Sequence, residues 1–328
     1  MQQSKTLFFA IIGLSILVVI GLFFARSYVT EVSPLRTSIR VVVAPSIATW
    51  ATQAADRFNQ GNSNNSVEIV VVNELIPTAT FQSNSAADKV PAAWLAEASF
   101  IIALGQNADL AFNDPRSVAS SALAWGAYND KLEQFNQDYG FLSWENVNVK
   151  ATNSEDVSKL IMAPPYSSAE GLAALISATA FQAGGATLAG GEVSAANQWL
   201  TETLGNRNTQ LPPTPAQTMA SVQGRTLGDF GLLSMASWRA AKLDQNSNFT
   251  VAPVEPAIIL DYPYAISAQA DEDQQKAALA FRDFLLAEAQ QQTLATIFLD
   301  PALSSGTGVQ ADGVASQRLI DWANRTLR

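Results

Sequence analysis

Two runs of β-branched residues, "IRVVV" from Ile39 and "VEIVVV" from Val67, bracket a stretch whose apolar residues recur at helical spacing. Those residues are Ile47, Trp50, Ala51, Ala54, Ala55 and Phe58, and Gly61 follows as a stop. A strand rich in valine and isoleucine on both alternating positions is buried on both faces, which happens in parallel sheets covered by helices. The chain is thereby directed to an α/β fold. A second strand–turn–helix follows further on. "KLIMA" (Lys159–Ala163) is an apolar run closed by two prolines, and "PPYSSAEGLAALISATAFQAGG" (Pro164–Gly185) opens a helix. Ser167 with Glu170 three residues later reads as a capping box, Ala169–Ala183 keeps helical spacing, and Gly184-Gly185 supplies the left-handed stop. In open α/β sheets such strand-to-helix turns are where ligands sit.

The remaining pattern gives further expectations. Val67–Leu75 is a strand, Val90–Ala98 a short helix with Pro91 at its start, and Phe100–Ala103 a strand. Ser117–Tyr128 is long, apolar and extended, a crossover candidate, whereas "ENVNVKATNSED" after Leu142-Ser143-Trp144 is polar and loop-like. A helix lies around Ser194–Leu204, "LPPTP" is a loop, and Asp229–Trp238 is a buried strand. Pro256–Ser267 is a second long extended run, broken by Pro263. Helices Glu272–Leu299, halted by Asp300-Pro301, and Gly313–Leu327 follow it. The layout is rich in βαβ units, with a middle region inserted between two crossover strands.

Composition closes many function classes. The 328 residues contain no cysteine and no histidine, so disulfides, thiol nucleophiles, Ser-His-Asp triads and the usual zinc sites are out of reach. No lysine has a serine three residues before it, so the S-x-x-K arrangement is missing as well. Net charge is −10; leaving out Lys5 and Arg26 gives 17 basic against 29 acidic residues, or −12. Such a surface repels nucleic acid and anionic headgroups. No metal-ligand cluster and no cofactor motif stands out.

"LFFAIIGLSILVVIGLFFA" (Leu7–Ala25) is 19 residues without a charge. A helix of that length spans roughly 28 Å, close to the ~30 Å hydrocarbon core. It exceeds the usual h-region of a cleaved signal, which favours a retained anchor within residues 1–30; the small residues Ala25 and Ser27 leave cleavage open. Flanking charge does not decide the orientation, because Lys5 faces Arg26, Arg36 and Arg40.

"RVVVAPSIATWATQAADRF", "APPYSSAEGLAALI", "LDYPYAIS" and "AALAFRDFLLAEAQQQTLA" occur in an order that resembles extracytoplasmic solute-binding proteins of type II fold. The likeness covers about 38–305. It is similar to the branch of molybdate- and sulfate-binding receptors of ABC importers, and closer still to the solute-binding regions found beside von Willebrand A domains. No D-x-S-x-S metal motif of such a domain is present. The resemblance implies a two-lobed periplasmic-binding-protein-like fold with two crossover strands, here after an N-terminal transmembrane helix. Lobe 1 would hold 38–122 plus 263–328, and lobe 2 would hold 123–262. It further implies an extracytoplasmic domain on a single-pass anchor, capture of a small solute between the lobes, an ABC permease as partner, and no catalysis. Carried onto this chain, Ser46 and the following N–H at Ile47 would contact ligand from one turn, Ser167 and Ser168 from another. Tyr262 would contact it from the returning crossover, and Trp94 from the cleft wall.

Each of these has a second reading. Ser46 serves equally as a plain helix cap, Ser167 as one half of the capping box, and Tyr262 as a core tyrosine with its hydroxyl satisfied. Trp94, Trp125 and Trp144 fit the core as well as a cleft. Glu170 in the first turn of its helix offsets the helix dipole, and no arginine or lysine lies in the three turns, so a dianionic solute is in doubt. A sensory or structural ectodomain that binds a protein partner through the same fold is the alternative. A carboxylate-based glycosidase ranks third, as no acid/base pair is placed by sequence.

Overall fold

A computed structural model describes residues 36–82, 90–153, 159–303 and 308–328; the apolar segment Leu7–Ala25, and with it the expected anchor, lies outside them. Among the described residues no helix is long and apolar enough to cross a membrane. β1 (Thr37–Val43) runs into α1 (Pro45–Gly61) and returns as β2 (Asn65–Val71), paired to β1 in parallel from Thr37↔Asn65 to Val43↔Val71. β3 (Ala93–Leu95) follows, then α2 (Ser99–Asn107) and β4 (Phe112–Ser117). After Val118 the chain enters β5 (Ala119–Tyr128), then α3 (Asn129–Tyr139), α4 (Trp144–Thr152), β6 (Leu160–Ile161) and α5 (Ala169–Ala183).

β7 (Thr187–Leu188), α6 (Gly190–Leu204) and β8 (Thr209–Gln210) precede β9 (Phe230–Ser234), α7 (Met235–Ala240) and β10 (Phe249–Pro253). The return path is β11 (Ile259–Leu260) and β12 (Pro263–Ser267), then α8 (Glu272–Leu286), β13 (Asp300–Pro301), β14 (Gln310–Ala311) and α9 (Gly313–Thr326).

Among the described residues the strands form two large sheets and a two-stranded one, β14-β7. The first has the order β2-β1-β3-β12-β4 and the second β10-β5-β9-β6-β8. β12 therefore comes home to the first sheet after the whole second sheet has been built, so the architecture is two-lobed and interleaved. Val41, Val42 and Val43 are buried on both faces of β1, as its unbroken valine run requires. Phe58 of α1 and Phe281 and Phe284 of α8 lock together with ring centroids 5.3–6.5 Å apart. In the second lobe α5 is buried continuously from Gly171 to Ala180, with Ala169 buried just before; a helix apolar all round is the centre of its lobe. It stops at Gly184, which takes φ +69°.

Several expectations are corrected. Val90–Ala98 is not a helix: "AWL" is a strand wedged between β1 and β12. Phe100–Ala103 is not a strand but part of α2. Three buried apolar residues between two sheet partners are too few to show a period, and α2 is buried widely enough to hide its own. "ENVNVKAT" is helix α4, capped by Ser143, whose Oγ accepts from Asn146 N at 3.3 Å. Asp229–Trp238 is half strand and half helix, turning at Ser234. The closing helix ends at Leu286 rather than Leu299, followed by single turns at Glu288–Gln291 and Leu294–Ile297.

The capping box at Ser167 does not form. Ser168 is the cap of α5, with its Oγ 3.4 Å from Gly171 N, and Glu170 turns away. Gly171 sits where the first turn of α5 presses on the preceding strand: a Cβ there would lie 2.2 Å from the Ala163 carbonyl oxygen. Gly→Ala inside a helix normally stabilises by about 1 kcal/mol. Gly171→Ala is expected to do the opposite and destabilise by about 1–3 kcal/mol through overpacking, read from the urea midpoint. A stabilised variant would contradict this packing.

Candidate functional site

The chain passes between the lobes at Val118 and at Tyr262. The Val118 N–H donates to Tyr262 O at 3.1 Å, and the Tyr262 N–H donates to Glu97 O at 3.1 Å. Beyond these bonds the ladder continues through Ile259↔Ala122 and Leu260↔Ser121, and β13 adds Asp300↔Ser120. Tyr262 takes φ +38°, in the left-handed region that side chains other than glycine rarely adopt, and its ring is buried in the floor between the lobes.

Above that floor three carboxylates each meet donors at a helix start. Asp261 accepts from Ser99 N at 2.7 Å and from Ser99 Oγ, at the start of α2. Glu170 reaches across to the start of α7, where its Oε1 accepts from Ser234 N at 2.7 Å and Ser237 Oγ at 2.6 Å. Glu97 lies between the starts of α1 and α5, accepting from Ser46 Oγ and facing the Ala169 N–H. Helix N-termini carry unpaired N–H groups and a positive dipole end, so an ionised oxygen there is favoured.

Burial nevertheless raises all three carboxyl pKa values. For Glu97 burial is the main cause; the Ser46 hydrogen bond opposes it, the Glu170 charge adds to it, and the Ala169 N–H opposes it. For Glu170 burial outweighs the donors Ser237 and Ser234, and for Asp261 it outweighs Ser99. Burial also pushes the Tyr262 phenol far above its ordinary value, with the Glu97 charge adding and a hydrogen bond with Ser46 opposing. The phenol is therefore a neutral hydroxyl.

Two chambers open around this group. One, of about 280 Å³, is lined by the start of α1, the turn after β2 including Asn73 and Glu74, Trp94, and Ser167. The other, of about 260 Å³, is lined by Glu170, Ser234, Ser237, Leu260, Tyr262 and Leu299. Ser46, Glu97 and Ser168 line both, so the Glu97 side chain stands as a partition in one cleft. Among the described residues no lysine or arginine lines either chamber. Arg239 on α7 is turned to Asp300, with Nη1 2.8 Å from Oδ1.

Ser46, Ser168 and Tyr262 thus lie around one chamber, and Ser167, exposed in the turn, lines the other. Ser46 is not the cap of α1; Ala44 is, and Pro45 precedes the serine. Ile47 is fully buried, and its N–H bonds back to Ala44 O at 3.2 Å. Trp94 lines the first chamber with its ring packed against Phe112 and Phe81. Trp144 is core, its Nε1 donating to Ser177 Oγ at 3.0 Å. Trp125 borders a separate, mostly apolar cavity of about 730 Å³ in the second lobe. Sequence reasoning passed over Glu97, Asp261, Ser99, Ser234 and Ser237. The readable signal was a carboxylate or serine at each strand-to-helix junction, hidden at Glu97 by the expected helix over Val90–Ala98.

The pKa shifts have a testable sign. A carboxyl whose pKa is raised on folding holds its proton more tightly in the folded chain. Its stabilisation is complete below the unfolded value and lost as pH rises through the raised one. Glu97, Glu170 and Asp261 all act this way, whereas Asp114, lowered chiefly by its hydrogen bond with Arg282, loses stabilisation only at acid pH below the carboxylate range. The thermal midpoint is expected to fall as pH rises above the ordinary carboxylate range of about 4, with a smaller fall in Glu97→Gln and Glu170→Gln. An unchanged slope in both variants would refute the assignment.

A family model described as bacterial extracellular solute-binding protein matches residues 39–296. No curated protein sequence matches the chain. Among solved structures, iron-bound HitA from Pseudomonas aeruginosa is similar with a TM-score of 0.61 at 12% identity, covering 88% of this chain and 99% of that one. The periplasmic binding protein AfuA from Actinobacillus pleuropneumoniae, with fructose-6-phosphate bound, gives 0.57 at 15%, covering 88% and 96%. An ABC transporter solute-binding protein from Thermotoga lettingae, bound with α-D-tagatose, gives 0.53 at 9%, covering 81% of each chain. At these identities the likeness is one of fold.

Proposed function

We propose, from the premise that this chain belongs to the bacterial extracellular solute-binding protein family, that it captures a small polar solute in the cleft between its lobes. In this reading it delivers the solute to an ABC permease, without catalysis. The observation that carries it is the convergence of Ser46, Ser168 and Tyr262, from three separate segments, on one chamber. The lobes divide as 38–122 with 263–328, and 123–262. In support, Leu123 is the first residue of β5 to pair with β9, and β12 begins at Pro263. Leu7–Ala25 anchors the chain, with the two lobes on the outer side of the membrane.

The solute is small and either uncharged or cationic. Chambers of about 260–280 Å³ each lie just below the ~300–1,000 Å³ of ordinary ligand sites. Carboxylates without a lysine or arginine disfavour an oxyanion or a phosphorylated sugar, while Ser46, Ser167, Ser168 and Tyr262 supply the hydroxyls that a polyol or an amine would use. The molybdate- and sulfate-type branch of the resemblance is for that reason not adopted.

Native mass spectrometry of the purified chain is expected to show a small bound molecule. Tyr262→Phe should weaken its retention by about 0.5–1.5 kcal/mol, the net value of one neutral hydrogen bond. Ser168→Ala should also lower stability, by about 1 kcal/mol at most, since it removes the cap of α5. A chain that carries no adduct and shows no saturable binding to polyols or amines would defeat the reading. A C-terminal reporter active only in the cytoplasm would defeat the topology.

A further inference from the structure

We infer that Glu97 sets the charge selectivity of the cleft. Its carboxyl group stands beside the starts of α1 and α5, and in its ionised form it makes the cleft refuse anionic solutes. This rests on the reading of the cleft as the solute site.

The argument begins with two long helices, of 17 and 15 residues, that start at opposite walls of the cleft. Such starts are ready-made seats for an anion, because their N–H groups and dipoles point at it. At α1 the capping residue is Ala44, with no side-chain oxygen to offer. At α5 the cap Ser168 reaches only Gly171 N, at a long 3.4 Å. The oxygen brought to both starts belongs to neither helix. It is Glu97, delivered from the segment between β3 and α2, taking the Ser46 hydroxyl on one side and facing the Ala169 N–H on the other.

Its position is fixed through the backbone. The Tyr262 N–H holds Glu97 O, and the Ala96 N–H donates to Pro263 O at 3.1 Å. Because Ser46, Glu97 and Ser168 are the residues common to both chambers, a solute entering either one meets this carboxylate.

The surroundings reinforce the effect. Among the described residues the other titratable groups that line the chambers are Glu74, Glu170 and Tyr262, and Asp261 stands next in the chain to Tyr262; none of the described residues lining the chambers is a lysine or arginine. The donors at α2 and α7 are already taken by Asp261 and Glu170. Removal of Glu97 would thus free the Ser46 hydroxyl at the start of α1, in the part of the cleft that Ser168 at the start of α5 also lines. Protonation would act in the same direction, and burial favours it. A mere strut would behave differently, since replacing it by the isosteric amide would leave anion affinity where it was.

The test uses the full chain in detergent and sulfate as the probe, with chloride at matched ionic strength as the control. Binding is read by calorimetry and by thermal shift. At about pH 8 the wild-type chain should show no sulfate-specific response, while Glu97→Gln and Glu97→Ala should bind sulfate at least about tenfold more tightly. Glu133→Gln, on the exposed side of α3 and lining neither chamber, should resemble wild type. At about pH 5 the wild-type response to sulfate should rise toward that of Glu97→Gln.

Should Glu97→Ala fail to fold, the isosteric amide carries the test. Wild type binding sulfate at about pH 8 as tightly as Glu97→Gln would overturn the inference. So would a folded Glu97→Gln that gains nothing. Retention of the native adduct, measured on the same samples, reports separately on whether the cleft is the solute site.

Discussion

Two main-chain hydrogen bonds at Tyr262, one to Val118 and one to Glu97, decide where everything else in this molecule stands. The first ties the two crossings of the chain into a single ladder, so β4 and β5 on one path run beside β12 and β11 on the other. The second fixes the segment that carries Glu97 to the same joint. A left-handed conformation at a tyrosine costs on the order of 1–3 kcal/mol. It persists because β11 and β12 must lie in different sheets, and a bend between them is unavoidable. The side chain at that bend is delivered to the floor of the cleft. The bend between the sheets and the floor of the cleft are one residue.

The acidic character of the cleft follows from the same geometry. In an α/β lobe each strand that enters the cleft ends at a turn, and the next helix begins with bare N–H groups. Those groups need acceptors, and three of the helix starts, at α2, α5 and α7, meet carboxylates from other segments. Half-buried carboxylates that meet no cation among the described residues are costly, and the raised pKa values of Glu97, Glu170 and Asp261 register that cost. Serine hydroxyls at 46, 99 and 237 offset part of it by donating to the ionised form. The balance differs from that at Asp114, which meets Arg282 at 2.9 Å and is lowered instead. One is a charge seated by dipoles and hydroxyls, the other an ion pair that fastens α8 to β4.

Much of the frame was legible because period and turn chemistry agree with burial over long stretches. The valine run of β1, the 47-50-51-54-55-58 spacing of α1 and the Ala169–Ala183 helix with its Gly184 stop all appear where their patterns put them. Reading fails where an element is too short or too buried to show a period, as at β3 and α2. It also fails where polar residues form a helix on the strength of a cap and one buried edge, as at α4. The site divides along the same line. Ser46, Ser168 and Tyr262 were visible as turn and crossover residues. The carboxylates were not, because nothing local distinguishes Glu97 from a solvated glutamate. The capping box at Ser167 illustrates the limit: the spacing to Glu170 is right, but two serines of α7 compete for that carboxylate and hold it.

The lobes are also joined away from the hinge, and this bears on how the cleft keeps its shape. β14 pairs with β7 in parallel, Gln310↔Thr187 and Ala311↔Leu188, and leads into α9, which packs on α2 of the first lobe and on α5 and α6 of the second. Arg318 of α9 donates to Gly190 O and, at 2.7 Å, to Ser194 Oγ, and Trp322 Nε1 donates to Thr201 Oγ1 at 3.2 Å. On the other side Gly313 leaves no room for a Cβ, which would lie 2.3 Å from Ala103 O of α2. A helix seated this closely on both lobes fixes their spacing at a second point, since packed interfaces yield in steps rather than continuously. With the Val118–Tyr262 ladder at one place and α9 at another, the distance from Ser46 to the start of α5 is set by two independent contacts.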